Sequence, residues 1–460
     1  MTQPSEQTPD AERAGLLPGT AGHVDELAAV AQAHGRVPSL VAGVVRDSRV
    51  VHLTGAGELP PPHADTQYRI GSITKTLTAV LALRLRDAGA FGLDDALDKY
   101  LPGTPVGAVT LRQLLGHSSG LQREPDGEWW ERSAGAGVGE LVAGLTPDKL
   151  AGPPYRSYHY SNLAFGLLGG VLERITDTPW SRLVDEQLLT PLGMTRTSYA
   201  PAEPFARGYV VHPWHGTLRE EPRLDAGAMA PAGQLWSTVS DLARWAGFLA
   251  DPAGAGAELD GGPVLAPGSL AEMCAPVVIS DLESWTSGHG LGVELWRRGE
   301  RVYVGHTGSM PGYLAVLVAH RPTRTAVVAF ANAYTLRGTG IDRLGLDVLD
   351  AVLDAEPVRP IPWRPGAAPP AQVEELTGRW WWMGREYEAS YRSGTRELEL
   401  APVGASWAPW RFTALGQDRW RCHSGMNDGE ILTVRRGRTG AVSALDIATF
   451  VFTREAWPSL

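Results

Sequence analysis

Apolar residues recur along this chain with distinct rhythms, and each rhythm predicts a different element. "HVDELAAVAQAHG" (23–35) has helical spacing and closes on Gly35. "SLVAGVVRDSRVVHLTGAG" (39–57) is two apolar runs around the polar pair Asp47-Ser48, which predicts a β-hairpin. The middle of the chain returns to the helical period over 74–88, 109–116, 162–176, 181–190 and 238–249. Strand patterns resume in "GLGVELW", "RVYVGH", "YLAVLVAHR" and "TAVVAFANA". The last two are nearly continuous apolar runs, which suit strands covered on both faces. The hairpin and the late strands are expected to share one sheet, with the helical middle as an insertion. That is an α/β sandwich.

The rhythm changes again after residue 355. "EPVRPIPWRPGAAPPAQVEE" (356–375) is proline-rich, and a semi-rigid linker is placed at 356–372. From 373 to 460 come short alternating segments without a helical period: "GRWWWMG", "EYEASYR", "ELELAPV", "WRFTAL", "RWRCHSG", "EILTVRRG" and "SALDIATFVFTR". They predict a small all-β barrel. Trp380 and Trp382 would share one face of their strand and Trp381 the other. The larger domain is then 23–355, and the polar residues 1–22 read as a flexible tail.

Composition narrows the function. The chain has 460 residues, 43% of them apolar, and a formal charge of −10, which excludes a general nucleic-acid binder. Cys274 and Cys422 give neither a disulfide framework nor a zinc spacing. His212 and His215 in "VHPWHG" lack a third ligand, and His117 in "LLGHSSGL" reads as structural. No metal or cofactor is expected. The segment "MTQPSEQTPDAERAGLLPG" has neither a basic nor an apolar region of a secretory signal. No stretch reaches the ~18–20 apolar residues of a membrane span. With Met1 as the native start, a cytoplasmic protein without a membrane partner is expected.

One segment carries candidate chemistry. In "YRIGSITKTLTAVLAL" (68–83), Ser72 and Lys75 stand three apart where an apolar helix begins. That spacing puts both on one helix face. Lysine occurs only at Lys75, Lys99 and Lys149, while arginine is common. An amine can lose its proton when desolvated and a guanidinium cannot, so this lysine suits a base beside a serine nucleophile. In "YHYSNLAFGLLGGVLERI" (158–175), Tyr160 and Asn162 are one residue apart before another apolar helix. A phenol beside an ammonium can have its pKa lowered and serve as a base, and an amide can donate to a substrate carbonyl and hold Lys75. In "RVYVGHTGSMPGY" (301–313), a strand ends in His306-Thr307-Gly308. Gly308 would let a substrate backbone lie close, and the Ser309 N–H could pair with that of Ser72 as an oxyanion hole.

Together these segments resemble the serine β-lactamase, penicillin-binding protein and D-aminopeptidase superfamily, with its Ser-x-x-Lys, Tyr-x-Asn and Lys/His-Thr-Gly motifs. "LRQLLGHSSGL", "PLGMTRTSY" and "GQLWSTVSDLARW" also look like stretches of its class C-like and esterase branches, and the resemblance covers about 23–350. It implies a β-lactamase-like sandwich with Ser72 as nucleophile and Lys75 and Tyr160 handling protons. Asn162 and His306 would contact substrate and the proton network, with Thr307, Gly308, Ser309 and Trp382 lining the substrate site. Many members carry lysine where this chain has His306, and a neutral imidazole anchors a substrate carboxylate less firmly.

The chain also resembles the penicillin-binding-protein-type thioesterases of nonribosomal peptide biosynthesis, which carry a C-terminal lipocalin-like barrel. This implies release of a peptide from a carrier-protein thioester by macrolactamisation, with a D residue at the acyl end. The alternatives are an esterase or D-stereospecific amidohydrolase of the same fold, and a non-catalytic sensor.

Overall fold

The computed structural model describes residues 15–251, 258–259, 262–336, 340–357 and 365–457. The chain divides into two units, Met1–Val358 and Arg359–Leu460. The first is a β-lactamase-like α/β sandwich built on one antiparallel sheet of eight strands. In chain order these are β1 (Ser39–Arg46), β2 (Arg49–Gly57), β3 (Val278–Ile279), β4 (Ser287–His289), β5 (Glu294–Arg298), β6 (Arg301–Met310), β7 (Tyr313–His320) and β8 (Thr325–Ala331). Their order across the sheet is β2-β1-β8-β7-β6-β5-β4-β3. The hairpin and the late strands therefore do share one sheet, and the helical middle enters between β2 and β3.

The unbroken apolar runs of β7 and β8 are explained by a core on each face. Val316, Val318, Val327 and Ala329 join one cluster, which includes Val24, Leu344 and Val348. Leu317, Val328 and Phe330 join the other, packed with the helical middle. Successive residues of a strand point to opposite faces, so a strand between two cores has no polar position to alternate with. Helices α1 (Pro18–Gly35) and α5 (Ile341–Ala355) cover the first face. α2 (Thr74–Asp87), α3 (Asn162–Thr176) and α4 (Val239–Ala250) lie on the other side. Every residue of α2 from Thr74 to Leu83 is buried, which makes it the central helix of this layer.

Three expectations are corrected here. Residues 15–22 are not a free tail, because α1 starts at Pro18 and the Leu17 N–H donates to Glu356 Oε1 at 2.7 Å; residues 1–14 lie outside the described residues. Glu356 is not linker either. It is buried beyond α5 and pairs with Arg46 at 3.0 Å. Of the linker placed at 356–372, residues 358–364 lie outside the described residues. α5 itself was not expected, although Ile341, Leu344, Val348, Leu349 and Val352 fall at helical spacing on its buried side.

The second unit is a closed barrel of eight antiparallel strands, β9 to β16: Gly378–Trp382, Arg385–Arg392, Glu397–Pro402, Trp410–Gly416, Arg419–Cys422, Ile431–Arg436, Val442–Ile447 and Phe450–Thr453. Each strand pairs with the next, and Trp381 opposite Thr453 closes the ring. The seven segments of the sequence become eight strands because "SALDIATFVFTR" folds back on itself. Its turn uses Ala448 and Thr449 at φ 49° and 72°, residues that do not advertise a hairpin. Trp380, Phe412, Leu432 and Phe452 lie in the barrel core.

Candidate active site

Ser72 sits in a 3₁₀ turn, Gly71–Ile73, that runs straight into α2. Gly71 has φ +51°, and a Cβ there would lie 2.5 Å from the Ser309 nitrogen. Only glycine lets the end of β6 come this close. Lys75 Nζ lies 2.8 Å from Ser72 Oγ and donates to the Ala232 carbonyl at 2.7 Å. The Tyr160 and Phe165 rings stand 5.0 and 5.6 Å from the amine. Lys75 is 0% exposed. Burial pushes its pKa down to about 7, while the Glu124, Glu131 and Glu294 carboxylates pull the other way. Half of the amine is then neutral near pH 7, with a lone pair for the Ser72 proton.

Tyr160 is hydrogen-bonded to Ser72, but its phenol is not acidified. Burial raises its pKa well above the ordinary value, and the Ser72 bond offsets this only in part. The tyrosinate base expected from the ammonium neighbour is therefore corrected: desolvation of an anion outweighs a cation that is itself half discharged. Tyr160 stays a neutral hydroxyl.

Asn162 opens α3, behind the N-capping Ser161, whose Oγ accepts from the Ala164 N–H at 3.0 Å. Its Nδ2 donates to both Glu124 oxygens, at 2.8 and 3.0 Å, and Glu124 also accepts from Trp130 Nε1 at 2.7 Å. A carboxylate can only accept, so the Asn162 amide orientation is fixed. Its Oδ1 is buried without a partner. Asn162 thus neither holds Lys75 nor offers a donor to a substrate carbonyl. Its remaining polar atom is an acceptor, sealed from solvent.

Beyond Gly305, β6 has lost β5 and presents an open edge. The Thr307 N–H points to that side, where it donates to Glu294 Oε2 at 3.2 Å, and Thr307 Oγ1 donates to Glu294 Oε1 at 3.0 Å. Backbone directions alternate along a strand, so the Ser309 N–H faces the same edge, beside the Ser72 turn. Two expectations change. A Cβ on Gly308 would meet the Ile70 carbonyl oxygen at 1.9 Å, so that glycine makes room for the chain's own turn rather than for a substrate backbone. His306 is 0% exposed and does not line the cleft, so it cannot touch substrate. Burial, reinforced by Lys75, pushes its pKa down to about 3, leaving it neutral.

His306 belongs to a buried aromatic layer. His117 stacks on Tyr160 at 4.3 Å, and the His289 ring stands 6.1 Å from both Tyr160 and His306. Among the described residues, His117, His289 and His306 bring potential ligand atoms within 4.8 Å of one another. Their tautomers oppose a metal. His117 Nδ1 accepts the Ser161 N–H at 3.1 Å, so the ring proton sits on Nε2. His306 Nδ1 lies 2.6 Å from the Thr307 carbonyl and must donate, so its Nε2 carries the lone pair. One ring turns a proton inward and the other a lone pair, which suits hydrogen bonding and not a set of three lone pairs.

These groups wall a cleft of about 580 Å³ lined by Ser72, Tyr160 and Asn162 on one side and Thr307 to Ser309 on the other. Its charged lining is Arg123 against Glu131, Glu294 and Asp342. The Glu131 pKa is pushed up to about 6 by burial and by Glu124.

The sequence profile of the Beta-lactamase family matches residues 24–349. The chain belongs to the beta-lactamase family. Residues 369–454 match a second profile, a domain of unknown function (DUF7586), which coincides with the barrel. Beta-lactamase-like protein 2 of Dictyostelium discoideum is 31% identical over 245 residues, 49% of this chain and 44% of the relative. The D-alanyl-D-alanine-carboxypeptidase/endopeptidase AmpH of Escherichia coli is 32% identical over 214 residues, 42% of this chain and 51% of the relative. The chain thus spans about half the length of these two curated relatives. Among solved structures, a D-stereospecific amidohydrolase from Streptomyces sp. is 27% identical with a TM-score of 0.58, covering 68% of this chain and 94% of its own.

Within this beta-lactamase fold, sequence reading located the Ser72, Tyr160 and β6 segments but missed their partners. Glu131 lies within "DGEWWERS" (126–133) and Glu124 two residues before it, in a stretch with no motif to mark it. Glu294, His289 and Asp342 had none. Trp382 packs on Phe450 at 4.5 Å within the barrel. Burial raises the Cys274 thiol to about 11, which removes it as a rival nucleophile. Among the described residues, no helix is long and apolar enough to cross a membrane.

Proposed function

We propose that this beta-lactamase-family protein is a serine acyl-transfer enzyme that hydrolyses amides, peptides or esters whose acyl residue has the D configuration. The carrying observation is the buried Lys75 amine, 2.8 Å from Ser72 Oγ and held near neutrality. Neutral Lys75 takes the Ser72 proton as Oγ bonds to the acyl carbonyl carbon. The N–H groups of Ser72 and Ser309 receive the oxyanion. Tyr160 passes a proton to the leaving group and regains one from Lys75. Water, deprotonated by the same amine, then attacks the acyl-enzyme and returns Ser72 to its hydroxyl form. D selectivity is supported by the Streptomyces amidohydrolase, whose chain is covered almost completely. A fluorophosphonate probe should add one adduct at Ser72, and Ser72→Ala should take none. Labelling at Cys274 or Cys422 instead would end this reading.

A second reading is a thioesterase that cyclises a carrier-bound peptide. The closed eight-stranded barrel after the catalytic unit favours it, since that branch was expected to carry one. Paired peptidyl thioesters ending in a D or an L residue distinguish the two by mass spectrometry. A product lighter than the linear acid by one water, formed from the D epimer only, supports the cyclase. Linear acid alone from the D epimer supports the hydrolase.

A further inference from the structure

A second cavity lies behind one wall of the cleft and shares no lining residue with it. It encloses about 250 Å³ between the "DGEWWERS" stretch, the short helix Val138–Ala143, the start of α3 and the segment 226–229. Its apolar lining is buried: Trp130, Leu141, Leu145, Leu163 and Met229 are each at most 8% exposed. Its charged lining is Asp126, Glu128 and Glu140 against Lys149 alone. Lys149 is already spent, because its ammonium pairs with Asp126 and lies 3.8 Å from Asp148. Glu128 and Glu140 are exposed, and no Lys or Arg among the described residues pairs with either. An apolar enclosure of ~150 Å³ accepts a benzene ring, so this one has room for a ring with a short side chain. Buried apolar groups favour the ring, and carboxylates in excess at the mouth favour an ammonium.

We propose that this cavity is a binding site for a small primary amine with an aromatic or branched alkyl body, and that the bound amine acts on the reaction centre through Trp130. The body lies against Leu141, Leu145, Leu163 and Met229, and the ammonium against Glu128 and Glu140. Trp130 is the shared wall. Its Nε1 donates at 2.7 Å to Glu124, the carboxylate that holds the Asn162 amide. The far corner of its ring reaches Gly233, where a Cβ would stand 3.4 Å from Trp130 Cη2 and 3.7 Å from the Gly71 carbonyl carbon. Gly71 opens the Ser72 turn, and Ala232, next to Gly233, holds Lys75 through its carbonyl. Close-packed groups pass on small displacements. An indole pushed from the cavity side therefore bears on both the Ser72 turn and the Lys75 acceptor. Binding at this site stands apart from the acyl-transfer reading, and only the effect on rate rests on that reading.

The test uses the full chain and 2-phenylethylamine, with 2-phenylethanol and phenylacetate as its neutral and anionic counterparts. Titrations followed by ligand-observed saturation-transfer NMR give each Kd. A ligand of this size in a well-fitted cavity should bind with a Kd of about 1 mM or tighter. The two counterparts should bind about fivefold or more weakly, because neither can form the charge-assisted contacts. Combining Glu128→Gln with Glu140→Gln, both at exposed positions, should weaken the amine by about threefold or more and leave 2-phenylethanol unchanged. Saturating amine should change the rate of Ser72 phosphonylation by about twofold or more in the wild type. The double variant should need a correspondingly higher concentration for the same change. An amine Kd above ~10 mM, or no preference for the amine over its counterparts, overturns the site. Amine binding that the double variant leaves unchanged overturns its placement in this cavity. Binding without any change in rate overturns the coupling through Trp130. Wild-type enzyme that takes no phosphonate loses the acyl-transfer reading, while the titrations still decide the cavity.

Discussion

The titration of Lys75 gives the sharpest prediction, with pH as the perturbation. An amine of ordinary pKa 10.5 is neutral in roughly one molecule in 3,000 at pH 7, whereas one at about 7 is half neutral. Burial therefore raises the population of competent base by on the order of 10³-fold. The rate of Ser72 acylation should climb tenfold per pH unit up to about pH 7 and level off above it. At pH 5 it should be roughly a hundredfold below the plateau. The assay is Ser72 phosphonylation by intact mass between pH 5 and 9, on wild type and on Glu131→Gln. The variant is needed because Glu131, at about 6, could give a similar limb; a limb that persists without Glu131, moved somewhat lower because a carboxylate that raises the Lys75 pKa is gone, belongs to Lys75. A limb near pH 10, or none at all, refutes the argument. Stability should obey the same linkage. Below pH 7 the amine is protonated in both states, and the folded state bears the whole desolvation cost. Between pH 7 and 10.5 only the unfolded chain holds the proton, so stability rises with pH across that window by roughly 5 kcal/mol at most.

Other outcomes follow from single contacts. Tyr160→Phe keeps the ring against His117 but removes the hydroxyl bonded to Ser72, and acylation should fall by about 10²–10⁴-fold with little change in Tm. Gly308→Ala places a methyl 1.9 Å from the Ile70 carbonyl, so the denaturation midpoint should drop by an amount equivalent to ~1–3 kcal/mol; an unchanged midpoint would mean that β6 can back away from the Ser72 turn. The barrel has its own core and a closed strand ring, so residues 365–457 expressed alone should melt cooperatively by near-UV circular dichroism.

How legible this was in the sequence depended on whether a feature is local. The Ser72–Lys75 pair follows from the helix repeat. The two-sided burial of β7 and β8 showed as apolar runs without alternation. What stayed hidden comes from long-range pairing. Glu294 becomes part of the cleft only because β5 stops opposite Gly305 and leaves the Thr307 donors open. Asn162 turns from donor to acceptor because Glu124, far away in sequence, takes its amide. The Tyr160 expectation failed on a balance that sequence does not weigh: a neighbouring cation against complete burial. The eighth barrel strand was missed because Ala448-Thr449 turns the chain without a glycine or asparagine.

Glu356 has a consequence beyond its ion pair. The Leu17 N–H and the Arg46 guanidinium both end on its carboxylate, so the start of α1 and the end of α5 lie side by side in the first unit. The chain of that unit is a nearly closed loop in space. Its sequence could be opened at an exposed turn such as Asp47-Ser48 and rejoined through a short peptide between α5 and α1, giving a circular permutant with every element in place. The same closure lets further modules be appended or exchanged beyond Glu356 without crossing the sheet. An architecture of this kind is suited to recombination, because the first unit keeps its elements together whatever is joined after Glu356.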